Sequence, residues 1–304
     1  MAIKLSGKDE MKGKPDIQKI KQVAPEVYDP EEIGSGGFKV VYKAQVKGKI
    51  EAVKLVQIPS DENDRTIRDE NLRRIVREVD ILAKCSSPYL VKLGSILPRE
   101  CEVDEVEYVI YSEEYIPGET LRKMILAGQR PTKEDLAELA ICTFKAVREL
   151  SGMNVIHRDI KPDNIIKSND LKRPYILLDL GIAFQIGGTR LTRDSARIPG
   201  TLYYIAPEML DQRFRQNLDY RADLYTIALT LYEFASGDNP FAHRDDPQFT
   251  TLYRIKTIKP RPLQEFRNDL PTPMCKLIDQ LMRKIPALRP ANIEQLIKQV
   301  EAYR

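Results

Sequence analysis

The densest chemistry in this chain lies in His157-Arg158-Asp159-Ile160-Lys161-Pro162-Asp163-Asn164, a polar and charged stretch between an apolar helical segment and the apolar run Tyr175–Leu180. A merely structural loop beside a core rarely carries so many charged groups, because each must find a partner once water is withdrawn. An aspartate, a lysine and an asparagine in one short loop can take up a proton, steady a moving anion and offer an amide oxygen to a hard cation. A further acid, Asp179, ends the run Ile176-Leu177-Leu178 and precedes Leu180-Gly181. Upstream, Gly34-Ser35-Gly36-Gly37-Phe38-Lys39-Val40-Val41 sits between two predicted strands. Glycines there would let backbone N–H groups approach phosphate oxygens, although a plain glycine hairpin turn reads the same run equally simply. The absence of a predicted helix behind it argues against dinucleotide-binding and P-loop arrangements. Ala52-Val53-Lys54 is a strand ending in lysine, and in isolation would be unremarked.

The elements that must position these groups change character along the chain. Residues 1–25 are lysine-rich with little apolar periodicity and read as a basic, mobile tail. From Tyr28 to about Tyr111 the short apolar and β-branched runs Val40–Tyr42, Ala52–Val56 and Val106–Tyr111 predict strands. One helix interrupts them, over Arg65–Lys84, with Leu72, Ile75, Val79 and Leu82 on one stripe. After Pro117-Gly118 helices dominate. Thr132 with a carboxylate at Asp135 predicts an N-cap for a helix running to Gly152, and Tyr220–Ser236 is apolar nearly all round, as a buried helix should be. Ile293, Leu296, Ile297 and Val300 predict a closing amphipathic helix. The expected fold class is therefore α+β, with a β-rich part over about 26–115, a mainly helical part over 116–304, and a cleft between two such lobes as the natural ligand site.

Composition narrows the partners. The 304 residues carry 48 basic and 45 acidic side chains, a net charge of +3, too even a balance to suggest nucleic acid or a membrane surface. Apolar residues at 42% and charged residues at 31% are ordinary for a soluble globular protein. There is no apolar run long enough to span a bilayer and no signal peptide, so the expected location is cytoplasmic. Cys85, Cys101, Cys142 and Cys275 show neither metal-ligand spacing nor a disulfide pattern, and are expected as buried, reduced thiols.

In order, Gly34-x-Gly36, Ala52-Val53-Lys54, Glu78, His157-Arg158-Asp159…Asn164, Asp179-Leu180-Gly181 and Ala206-Pro207-Glu208 resemble the eukaryotic-type protein kinases over roughly residues 28–303. The resemblance implies the bilobal kinase fold and transfer of the ATP γ-phosphoryl group to a protein hydroxyl, with ATP and Mg²⁺ as the required small molecules. It implies that Gly34, Ser35, Gly36, Gly37 and Phe38 cover the phosphates, and that Lys54 holds them while paired to Glu78. Asn164 and Asp179 would ligate Mg²⁺, Asp159 would receive or orient the hydroxyl proton, and Lys161 would steady the phosphoryl group. Ile33, Val41, Ala52 and Ile166 would enclose the adenine, with Glu114–Ile116 offering backbone hydrogen bonds. Lys161 and Gly200-Thr201 look like the serine/threonine branch. Glu208 would pair with Arg289, and Asp223 would hold the catalytic loop. Thr189, Thr192 and Ser195, among Arg190, Arg193 and Arg197, would be targets of autophosphorylation, which leaves room for self-association in trans.

Lys39 stands where a third glycine is usual, Leu180 replaces a phenylalanine, and Glu113, or a neighbour one residue away, falls at the back of the nucleotide pocket. The alternatives to an active enzyme are a pseudokinase scaffold, for which Lys39 speaks, and a phosphotransferase acting on small molecules. The charged stretches 99–114 and 254–267 read as solvated surface.

Overall fold

The structure is a computed structural model that describes Pro15 and residues 17–36, 38–58, 65–180, 184–185, 202–211, 218–243 and 246–304. The chain divides into two compact units, residues 1–84 with 92–115 and residues 85–91 with 116–304.

The first unit is built on a sheet of five antiparallel strands: β1 (Val27–Gly36), β2 (Lys39–Val46), β3 (Lys49–Gln57), β4 (Arg99–Val103) and β5 (Val106–Glu114), in the order β1-β2-β3-β5-β4. Two tight hairpins set its register. Lys47-Gly48 and Asp104-Glu105 all have positive φ, the backbone that matches the twist of paired strands. Period-two alternation then sorts the side chains. Tyr42, Val53, Leu55, Tyr108 and Ile110 pack into one cluster, while Val109 and Tyr111 on the opposite face meet Ile75 and Val79 of α2 (Arg65–Lys84). The predicted stripe is the buried one, with Leu72 at its margin and Leu82 buried.

Part of the expected mobile tail is structured. Ile17–Val23 form a helix, α1, and Ile20 and Ala24 are wholly buried in the cluster with Val27 and Val46. Ile20 within α1 and Ala24 just after it, four residues apart, anchor this segment on the sheet despite Lys19 and Lys21 beside them.

The second unit contains β6 (Gly118–Thr120), α3 (Leu121–Leu126), α4 (Lys133–Gly152), β7 (Val155–Ile156), β8 (Ile165–Ser168), β9 (Tyr175–Leu177), β10 (Phe184–Gln185), α5 (Arg221–Ser236), α6 (Gln248–Thr257), α7 (Thr272–Leu281) and α8 (Ile293–Glu301). Thr132 and Asp135 form a reciprocal capping box at the start of α4, as their spacing predicts. Every residue of α5 from Ala222 to Ser236 is buried. Leu90 bridges Leu177, and the Val91 N–H donates to the Leu177 carbonyl, which ties residues 85–91 to this unit. Gly118 is required where β6 meets β8, since a Cβ there would lie 2.2 Å from the Lys167 carbonyl oxygen. Among the described residues, no helix is long and apolar enough to cross a membrane. Three of the cysteines are buried and free as expected, whereas Cys101, on β4 near the sheet edge, is only half-buried.

Candidate active site

The loop after β7 draws its predicted residues together. Lys161 Nζ donates to both Asp159 carboxylate oxygens, at 2.9 and 2.8 Å, and Asn164 Nδ2 donates to Asp159 Oδ2 at 2.8 Å and to the Asp159 carbonyl at 2.9 Å. Because the asparagine nitrogen makes both of those bonds, its Oδ1 is the atom left to serve a cation. The loop is fixed from beneath by Asp223, whose carboxylate accepts the backbone N–H groups of His157 and Arg158 at 2.9 Å each. Arg158 has φ +69°, a left-handed conformation costing on the order of 1–3 kcal/mol, and this pair of bonds holds it there. Burial pushes the Asp223 carboxyl up, against the pull of His157, Arg158 and their N–H groups. The His157 ring links the loop to the next strand. Its Nδ1 accepts from the Asp159 N–H at 3.3 Å, so Nε2 is the donor to the Leu178 carbonyl at 3.2 Å. The Leu178 N–H in turn donates to the Asn164 carbonyl at 2.8 Å, and Asp179 follows with φ +63°. Ile166 lies on β8, and Ile116 is buried.

In the first unit, register assembles a second group. Val41 is opposite Lys54, and Ala52 is opposite Glu113, so Val41, Ala52, Lys54 and Glu113 share one face of the sheet. Lys54 Nζ donates to Glu113 Oε1 at 2.5 Å, with the two side chains only 6% and 3% exposed. Glu78, the expected partner of Lys54, is half-buried on α2 and helps support the charge of Arg74, which burial weakens. Ile33, Gly34, Ser35 and Gly36 belong to β1, Gly36 pairs with Lys39, and Phe38 is exposed in the turn. Gly37 lies outside the described residues. A Cβ at Gly34 or Gly36 would meet no atom within 4 Å, so crowding within the described chain does not demand glycine at either. Glu114 ends β5, where its carboxylate accepts the Lys92 N–H.

Two arrangements support the helical side. Arg289, fully buried, makes a two-pronged pair with Glu208 at 2.7 Å per arm and also donates to the Arg283, Arg221 and Lys284 carbonyls. Arg122 binds Glu233 at 2.7 Å and Asp163 at 3.2 Å, and also bonds Tyr204, whose hydroxyl donates to Glu233. Sequence reading passed over this second cluster because its members are 82 and 111 residues apart from Arg122. Thr189, Thr192, Ser195 and the arginines around them lie outside the described residues.

Magnesium fits this donor set. Among the described residues no three His, Cys, Asp or Glu side chains cluster as a metal cage. Mg²⁺ does not need one, since it commonly takes one or two protein oxygens beside phosphate and water. Asn164 Oδ1 and the Asp179 carboxylate are such oxygens.

Comparison with known proteins agrees. The model of the protein kinase domain matches residues 28–300. A protein of Clostridium perfringens named as a probable serine/threonine-protein kinase is 28% identical over 272 residues, covering 90% of this chain and 37% of its own length. A protein of Clostridium acetobutylicum with the same kind of name is 28% identical over 274 residues, 89% of this chain and 38% of its own. This chain thus spans little more than a third of the relatives it resembles. With the family model spanning nearly all of the sequence, the chain belongs to the protein kinase family.

Proposed function

We propose that this chain is a Mg²⁺- and ATP-dependent kinase for serine and threonine hydroxyls of proteins, located in the cytoplasm and able to phosphorylate its own activation segment. The observation that carries this reading is the Asp159–Lys161–Asn164 cluster held on Asp223. The attacking hydroxyl oxygen bonds to the γ-phosphorus as the bond to the β-phosphate bridging oxygen breaks, and ADP leaves. Asp159 orients the hydroxyl and receives its proton. Lys161, already aimed along Asp159, neutralises charge on the moving phosphoryl group. Asn164 and Asp179 hold the Mg²⁺, which when bound neutralises phosphate charge. Lys54 holds the α- and β-phosphates with Glu78 as its partner. The Gly34–Phe38 turn covers the phosphates, Gly34 and Gly36 leaving its backbone open to close approach. Ile33, Val41, Ala52 and Ile166 enclose the adenine, and Glu114–Ile116 bond its edge. Serine/threonine specificity rests on Lys161, on Gly200-Thr201 and on the names of the distant relatives.

A second reading, a scaffold that binds without transferring, draws support from the pairing of Lys54 with Glu113, which occupies the lysine. Transfer of labelled γ-phosphate to the chain itself and to a generic protein substrate decides between them. Asp159→Asn should lower the transfer rate ~10²–10⁴-fold while leaving the melting temperature unchanged. Equal rates in wild type and variant, or binding of ATP with no transfer, would remove the enzyme reading.

A further inference from the structure

We propose that Glu113 is a resident counter-ion for Lys54 that nucleotide phosphates must displace, so that this carboxylate sets the affinity for phosphate. The proposal rests on the reading of Lys54 as the phosphate-holding group. Its geometry lies wholly within one sheet. Ala52 opposite Glu113 puts Lys54 on the diagonal of the same face, two residues along β3, the distance at which long side chains meet across antiparallel strands. The contact is 2.5 Å, both side chains are almost fully withdrawn from water, and the Tyr111 ring centroid lies 5.7 Å from the ammonium. Water therefore screens the pair little, and its attraction is correspondingly strong.

The neighbouring polar groups are committed elsewhere, which leaves Glu113 as the acid aimed at this lysine from β5. Ser112 points to the opposite face and donates to Glu51 at 2.6 Å. Glu51 also accepts from the Ser95 N–H and hydroxyl. Glu114 accepts from the Lys92 N–H. A polyphosphate arriving at Lys54 meets an ammonium that is already neutralised, beside a buried carboxylate of its own sign. Binding then requires that Glu113 turn away, and that cost falls on the phosphates, since adenosine brings no competing anion. A Glu113 that merely braced Lys54 in a phosphate-ready pose would act in the opposite sense, and its neutralisation would weaken phosphate binding.

The test is calorimetric titration of the full chain with ATP in Mg²⁺ and, separately, with adenosine, for wild type, Glu113→Gln and Glu113→Met. Taking the ratio of the two affinities cancels any effect of residue 113 on the purine. Loss of the competing charge should raise the preference for ATP over adenosine at least about tenfold in both variants, the low end of the coupling found between close charged groups. ATP binding seen only in the variants would support the proposal equally. A ratio that stays the same or falls, with wild type binding ATP, overturns the proposal and leaves the kinase reading intact. Failure of all three proteins to bind ATP removes both. Unfolding of both neutral variants also overturns the proposal, because a carboxylate the fold cannot lose is not one a ligand can displace.

Discussion

Lys54–Glu113 in the sheet and Lys161–Asp159 in the loop after β7 are lysine–carboxylate pairs of similar length, 2.5 and 2.8 Å. Their surroundings differ. The sheet pair is made by strand register and is 6% and 3% exposed, whereas the loop pair is 12% and 17% exposed and shares its aspartate with Asn164. A buried pair is hard to break singly because the surviving charge has nowhere to go. A pair closer to water, with a third partner, can lose one member and keep its shape. The same contact thus neutralises charge in one unit and aims a carboxylate in the other.

That contrast can be tested from either side. The largest effect on stability should come from Lys54→Met, which removes the ammonium beside the buried Glu113 carboxylate and should lower the unfolding free energy by about 3–5 kcal/mol. The double variant Lys54→Met with Glu113→Met should regain most of it in denaturant titrations. If the double variant is no more stable than the single, the sheet pair is not the isolated unit described here. Lys161→Met should do the reverse, lowering the transfer rate ~10²-fold while changing stability by less than about 1 kcal/mol.

Lys284 sharpens the comparison, being a lysine with no carboxylate partner among the described residues. Its Nζ is buried without a hydrogen-bond acceptor, 3.9 Å from the Phe241 ring centroid, and burial pushes its pKa down to about 8 from 10.5. Between those two values the unfolded chain holds a proton that the folded chain has released, so this group adds stability as pH rises from about 8 to 10.5. Lys284→Met should accordingly raise the melting temperature at pH 7 by roughly 2–4 °C, the equivalent of about 1 kcal/mol. The advantage should shrink toward pH 10. An advantage that grows with pH would mean that the aromatic rings, and not burial, govern this ammonium.

Much of this was legible in the sequence because period and capping are local properties. The stripe on α2, the capping box before α4 and the apolar circumference of α5 each follow from residues a few positions apart. Asp223 and Arg289 met the partners expected of them because the family resemblance supplied long-range pairs that spacing could not. Register was not legible. Whether Ser112, Glu113 or Glu114 shares a face with Lys54 depends on a one-residue slip, and only the hairpins and pairing of β3 with β5 decide it. The α1 helix was hidden by its lysines, since Ile20 and Ala24 give too short a period to stand out.

The complete enclosure of α5 has a consequence for how the second unit comes apart. A helix with one wet face can fray, and its amide hydrogens trade with solvent through small local openings. Between Ala222 and Ser236 there is no wet face, so an opening there must first remove the layers that cover it. Deuterium should reach these amides last, and their exchange rate is a direct gauge of how often the whole unit unfolds.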